Sequence, residues 1–337
     1  MWIKHSRAGG CVPETYQTAP TIFVVPTMTP YATCHVPYTP PVGGHCKKTA
    51  EHPIIMTKKM KGTFLTLNPK AKIFEELKTQ QLKWWSLLRE DNELYIEIRK
   101  DNYINVYYYG GSVAKIVYAN GFVAETHQKY LGDDQPRGKT KKGTNIFKYD
   151  PIDLVNLNET NIADIKNYIK SDYLRQINDE NPAEKWIQGK MIKGNSNYID
   201  SEFQFNQDPE IGKLRIDLIE LSGGVLSFVE LKGISDSRLR NDSIRNPNTP
   251  EIIEQMRKYH LFINKYEMEL LDYYKKLIEI KNNLGLTKIV CPKLTLNKTP
   301  KLIIANTYTK DTLGRRERIQ DIEKLLKNHN IDYEILK

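Results

Sequence analysis

Two carboxylates and a lysine interrupt an otherwise apolar stretch of the chain. Asp217 lies in Arg215-Ile216-Asp217-Leu218-Ile219-Glu220-Leu221, and Glu230 and Lys232 lie in Val225-Leu226-Ser227-Phe228-Val229-Glu230-Leu231-Lys232. Both segments read as strands, joined by Ser222-Gly223-Gly224 as a hairpin turn. In the first strand Ile216 and Leu218 point one way while Asp217, Ile219 and Leu221 point the other, so both faces are apolar and the strand is expected to be buried. In the second, Glu230 and Lys232 share a side with Leu226 and Phe228. An unpaired carboxylate in such surroundings is unfavourable by several kcal/mol, so two of them kept close together need compensation. A divalent cation supplies it directly, and Lys232 supplies a further positive charge. The same residues also fit a purely structural ion pair, with Glu230 neutralised by Lys232 and Asp217 accepting backbone hydrogen bonds. Short acidic and basic combinations are common in a chain that is 27% charged.

Around the hairpin, helix and strand signals alternate. Residues 162–177 read as a helix, and Asn181-Pro182 opens another that runs to about 192, because proline suits a first helical turn. Strands follow at 198–205, 213–221 and 225–232, then a long helix from Asn248-Thr249-Pro250 to about 280. A strand at 301–308, a helix at 316–327 and a strand at 332–336 complete the chain. This order implies an α/β fold, a mixed sheet flanked by helices. On the first of these strands Asp200 and Glu202 share a face opposite Ile199, Phe203 and Phe205, and they read as a solvated face. Upstream, apolar residues spaced three to five apart predict an amphipathic helix over 74–88. Strand signals at 94–99, 103–109 and 112–118, with turns at Gly110-Gly111 and Asn120-Gly121, predict a small antiparallel meander ending near His127. The stretch 132–143 reads as a loop. Its Arg137, Lys139, Lys141 and Lys142 are either a solvated connection or phosphate contacts.

Asp217 followed by Glu230-Leu231-Lys232 on adjacent strands, after one helix and before the next, resembles the PD-(D/E)XK nuclease superfamily. Asp217 matches the first motif acid, and Glu230-Leu231-Lys232 matches the (D/E)-x-K element. Ile216 stands where the proline of the motif's name would be. Gln255-Met256-Arg257-Lys258-Tyr259 is similar to the Q-x-x-x-Y signature of the RecB-like branch, and its i to i+4 spacing sets Gln255 and Tyr259 on one helical face. Glu184 falls where these families place an acid on the first core helix, with Asp179 and Glu180 as neighbouring alternatives. The resemblance spans roughly residues 151–308. It implies a restriction-endonuclease-like sheet and metal-dependent phosphodiester hydrolysis, of DNA first, in defence, restriction or repair. It also implies magnesium or manganese held by Asp217, Glu230, the Leu231 carbonyl and Glu184, with catalysis by Asp217, Glu230, Lys232 and Gln255. Tyr259 would touch substrate, and Lys232 would either position or deprotonate the attacking water. A catalytically silent nucleic-acid-binding protein on the same scaffold is the alternative. A homodimer or a larger defence assembly is compatible with either.

Composition divides the chain further. The 337 residues carry a formal charge of +9, which favours a polyanionic partner such as nucleic acid. Residues 1–55 carry +2 of it, 56–150 carry +6 and 151–337 carry +1. The expected organisation is therefore a tail at 1–55, a small α+β domain at 56–150 that captures nucleic acid, with Lys139, Lys141 and Lys142 in its basic loop, and a nuclease-like domain at 151–337. The tail holds 8 of the 17 prolines and no leucine, so it reads as disordered, or as sequence upstream of a start at Met56 or Met60. Cys11, Cys34, His35, His45 and Cys46 lack the paired Cys-x-x-Cys spacing of a zinc module. No run approaches the roughly 18 apolar residues of a membrane span, and no secretory signal is evident, so a cytoplasmic protein is expected.

Overall fold

A computed structural model describes residues 66–174, 183–242, 244, 247–290 and 293–337. The tail at 1–55 with its cysteines and histidines lies outside these residues, as do the end of the helix expected to reach 177 and the start of the one expected at Asn181.

The first elements are helices α1 (Lys72–Thr79) and α2 (Lys83–Glu90). One helix was expected here. Leu77 and Leu82 are five apart, which breaks the 3.6-residue period, and the chain becomes extended at Gln80 and Leu82 so that each helix can bury its own stripe. Ile73, Phe74 and Leu77 go inward from α1, and Trp84, Trp85 and Leu88 from α2. Strands β1 (Tyr95–Arg99), β2 (Tyr103–Tyr108), β3 (Gly111–Tyr118) and β4 (Phe122–His127) form the expected meander. A short hairpin of β5 (Gly138–Lys139) and β6 (Asn145–Ile146) begins within the stretch 132–143 read as a loop and ends just past it, and β7 (Tyr149–Ile152) then pairs with β4. Period-two alternation gives this sheet two unlike faces. Ile98, Ile104, Val106, Ile116 and Ala124 are buried in the core. Tyr95, Glu97 and Arg99 of β1 pair with Tyr107, Asn105 and Tyr103 of β2 on the other face, which is aromatic and polar.

Helices α3 (Glu159–Leu174) and α4 (Glu184–Gly194) lead to β8 (Tyr198–Phe205), β9 (Leu214–Ser222) and β10 (Val225–Gly233). The expected long helix is two, α5 (Glu251–Lys265) and α6 (Glu267–Asn283), divided at Tyr266, whose ring packs on Phe205 and Phe262 and whose hydroxyl bonds Asp208 at 2.8 Å. After β11 (Thr295–Leu296) come β12 (Lys301–Ala305), α7 (Leu313–Asn328) and β13 (Asp332–Leu336). β12 stops short of the expected 308 because Asn306 turns the chain, its side-chain oxygen accepting from the Tyr308 N–H at 3.2 Å. The second sheet has the order β13-β12-β10-β9-β8, with β11 also beside β10. β8, β9 and β10 are antiparallel neighbours, whereas β12 runs parallel to β10 and to β13. The fold is thus mixed α/β, and among the described residues no helix is long and apolar enough to cross a membrane.

The described residues all fall in one compact unit, and the expected boundary at 150/151 lies within β7. A buried, charge-balanced network joins the two sheets. Arg99 Nη1 meets Asp200 Oδ1 at 3.1 Å, Lys281 Nζ meets Glu97 Oε2 at 2.8 Å, and Tyr274 donates to Asp200 Oδ2 at 3.2 Å. This corrects the reading of Asp200 as solvated. It is buried because a bulge between Tyr198 and Asp200 shifts the register of β8 and because β1 and α6 cover it. Burial, with Glu97 nearby, pushes its carboxyl up to about 7 against the pull of Arg99 and Lys281. Glu202 is partly exposed and pairs with Arg215 at 3.2 Å.

One glycine sets how closely α4 can approach the first sheet. A Cβ on Gly189 would lie 2.4 Å from Tyr109 Cα and 2.8 Å from its carbonyl carbon, and backbone cannot yield as a side chain can. Gly189→Ala is expected to lower stability by about 1–3 kcal/mol, an overpacking effect. Thermal denaturation at an unchanged melting temperature would contradict this close approach.

Candidate active site

Strand alternation in β10 sends Val229 and Leu231 to the face covered by Ile187, Met191 and Ile192 of α4. Glu230 and Lys232 project to the opposite face, with Phe228, which packs on Tyr274 of α6. Asp217 is on the neighbouring β9, and all three side chains are buried, at 4%, 1% and 1% exposure for Asp217, Glu230 and Lys232. They converge as expected, and the Lys232 ammonium is at the centre. Its Nζ donates to Glu230 Oε1 and to the Leu231 carbonyl, the latter at 2.6 Å. Asp217 Oδ2 and Glu184 Oε2 each lie 3.6 Å from the same nitrogen. The four residues expected to ligate a metal therefore direct oxygens at one positively charged atom.

Helix α5 supplies the rear wall. Gln255 Nε2 donates to Glu230 Oε1 at 2.6 Å and to Tyr259 Oη at 2.8 Å. Tyr259 Oη contacts both the Arg215 carbonyl and Glu230 Oε2, the latter at 2.8 Å. A phenol has one proton, so it cannot donate to both. Protonation of Glu230 resolves the count, with its O–H donating to Tyr259 and the phenol donating to Arg215. Burial and the adjacent Asp217 charge push the Glu230 carboxyl up to about 8, which agrees. Burial also holds the Tyr259 phenol far above its usual range, so it stays neutral.

For Lys232, burial alone would lower the pKa, but the surrounding acids outweigh it and raise it: Glu230 contributes when ionised, and the charges of Asp217 and Glu184 act on Lys232 even while Glu230 holds its proton. The side chain is an ammonium here, able to stabilise negative charge but not to accept a proton. Glu184 is pushed up, by burial first and then by Asp217, while Lys232 and Arg238 oppose the shift.

Three neighbours carried no clear sequence signal. Gln188, one turn after Glu184 on α4, donates to the Asp217 carbonyl at 2.6 Å and so ties the helix to the acid-bearing strand. Arg238 lies 3.8 Å from Glu184 and 2.7 Å from Asp236. Arg215 is an exposed residue on the rim of a cavity of about 600 Å³ into which Glu184, Asp217, Glu230 and Lys232 open. Lys139, Lys141 and Lys142 are not brought to this site. They are exposed around the β5–β6 hairpin and line neither this cavity nor the one beside it.

The donor chemistry, carboxyl and carbonyl oxygens, suits a hard cation, whereas the spacing is that of an ion pair. Three carboxyl groups surround one ammonium and Arg238 is matched by Asp236, so the balance is negative even while Glu230 holds its proton, and Asp217, Glu230 and Lys232 are buried. Among the described residues no three His, Cys, Asp or Glu side chains stand where they could together hold a metal ion. The oxygens instead stand at hydrogen-bonding and ion-pairing distances from Lys232, longer than the roughly 2.1 Å of magnesium coordination. No known family profile, curated protein or solved structure matches the chain, so what these residues do must be read from their geometry.

Proposed function

We propose that the chain is a metal-dependent nuclease of the PD-(D/E)XK type, acting on DNA. The convergence of Asp217, Glu230, Leu231 and Glu184 oxygens on the single positive charge of Lys232 carries this reading. Its support is the order α4, β8, β9, β10, α5, α6, β11, β12, with β12 parallel to β10, which is compatible with the helix, three strands, helix, strand order of a restriction-endonuclease-like core if α6 and β11 are additions to it. Magnesium or manganese held by Glu184, Asp217, Glu230 and the Leu231 carbonyl would neutralise charge on the phosphoryl oxygens and make the attacking water more acidic. Lys232, released from Glu230 and Leu231, turns its ammonium to a phosphoryl oxygen and stabilises the charge that develops there. Gln255 and Tyr259 hold Glu230 in position from behind, and Gln188 fixes the backbone of Asp217. Arg215 and Lys213 on the cavity rim offer positive charge to the flanking phosphates.

The alternative is a silent nucleic-acid binder, favoured by two observations: Glu230 is paired with Lys232 while Asp217 accepts the Leu231 N–H at 2.9 Å, and no buried side-chain N or O atom among the described residues lacks a hydrogen-bond partner. Isothermal titration with manganese separates the two. A nuclease site gives a saturable binding isotherm that Asp217→Ala removes, whereas a structural ion pair gives none in either protein.

A further inference from the structure

A second cavity, of about 480 Å³, lies between the polar face of the first sheet and the β8–α4 side of the second. A sheet face turned toward a neighbouring layer is ordinarily apolar and closely packed. Here it is neither. The lining is rich in tyrosine, with Tyr103 and Tyr107 on β2, Tyr149 on β7 and Tyr173 on α3. Tyr107 is stacked on Tyr95 at 5.3 Å between centroids, whereas Tyr149 is 54% exposed. Asn105, Ser112 and Gln204 add amide and hydroxyl groups; the carboxylates of the lining, Glu125, Asp200 and Glu202, are paired with Lys115, Arg99 and Arg215, which leaves Lys100 and Lys185 as its excess positive charge. The volume is within the range of about 300–1,000 Å³ typical of small-ligand pockets and far too small for a segment of duplex.

This cavity adjoins the candidate active site. Gln204 and Arg215 line both. Gln188, which holds the Asp217 carbonyl, also lines the tyrosine cavity, and on α4 Glu184 faces the first cavity while Lys185 lines the second. Aromatic rings for stacking, amides for base edges and cations for phosphates are the three elements by which proteins hold unpaired nucleotides.

We propose that the tyrosine cavity holds an unpaired nucleotide of the strand being cut, base against the rings and phosphates against Lys100 and Lys185. The protein then takes single-stranded or locally unpaired DNA in preference to a fully paired duplex. This specificity rests on the nuclease reading, but its binding step does not need the metal.

The test is therefore fluorescence anisotropy of the full chain in chelator, with a short labelled single strand and with the same strand fully paired. Wild type is expected to bind the single strand at least about tenfold more tightly. Tyr103→Ala and the surface change Tyr149→Ala each weaken single-strand binding by about tenfold, the loss of one stacked base, and leave duplex binding unchanged. Tyr103→Phe and Tyr149→Phe retain it. Equal affinity for both DNA forms, or unaltered single-strand binding in both alanine variants, overturns the proposal. So does a free mononucleotide that competes at the oligonucleotide's own affinity, since the cavity would then be an effector site. A protein that cuts duplex with manganese yet shows no single-strand preference keeps the nuclease reading and loses this one. One that prefers single strands through these tyrosines but cuts nothing does the reverse.

Discussion

Lys232→Met is expected to cut cleavage by about 10²–10³-fold while tightening manganese binding by about tenfold. The ammonium is the centre on which Glu184, Asp217, Glu230 and Leu231 converge, so in the absence of metal it fills the place a cation would take. Methionine has similar length but no charge, and the three carboxylates then face the ion without a competitor. Attraction between unit charges a few ångströms apart is large enough, even when much reduced by the surroundings, to support a tenfold change. Cleavage falls by about 10²–10³ because the group that stabilises developing phosphoryl charge is gone. Titration calorimetry and a cleavage assay on the same preparation read the two effects. Weaker metal binding by the variant would place Lys232 in support of the metal site rather than in competition with it.

Glu230→Gln separates catalysis from stability. In chelator, the wild-type carboxyl is protonated up to about pH 8 when folded but loses its proton near the ordinary glutamate value when unfolded. Between those values the folded state binds more protons than the unfolded state, so stability falls as pH rises and levels off above about 8. Glutamine mimics the protonated carboxyl and removes that slope. The variant should match wild type near pH 5 and exceed it at pH 9, by up to a few kcal/mol in denaturant unfolding. It should nevertheless be inactive, having lost a carboxylate that binds the metal. A variant less stable than wild type at pH 9 would mean that Glu230 is held ionised by Lys232.

Both predictions concern residues that could be identified from sequence because they violate their surroundings. Asp217, Glu230 and Lys232 are charged positions in strands that are apolar on both faces, and the pattern says so without any tertiary information. Gln255 and Tyr259 were readable because helical spacing alone places them together, and the structure joins both to Glu230. What the sequence did not reveal depends on long-range contact. Asp200 looked solvated because strand alternation cannot anticipate a bulge, nor the cover provided by Arg99 from a hundred residues away. Gln188 is an ordinary helix residue until β9 is packed beneath it. The tyrosines of β1 and β2 were visible as aromatic strand residues, but only sheet pairing puts them around one cavity. Lys139, Lys141 and Lys142 show the opposite case. Local charge drew attention to them, yet they stand apart from both cavities.

Metal-dependent cleavage by wild type and Asp217→Ala, measured side by side on labelled single-stranded and duplex DNA, tests the central claim most directly. Asp217 accepts the Leu231 N–H at 2.9 Å, so thermal denaturation of the variant should accompany the assay to show that it is folded. The expected result is cleavage by wild type that requires magnesium or manganese and is lost in folded Asp217→Ala. Equal cleavage by both proteins, or none by wild type with either metal, would contradict the assignment of these residues to a nuclease site.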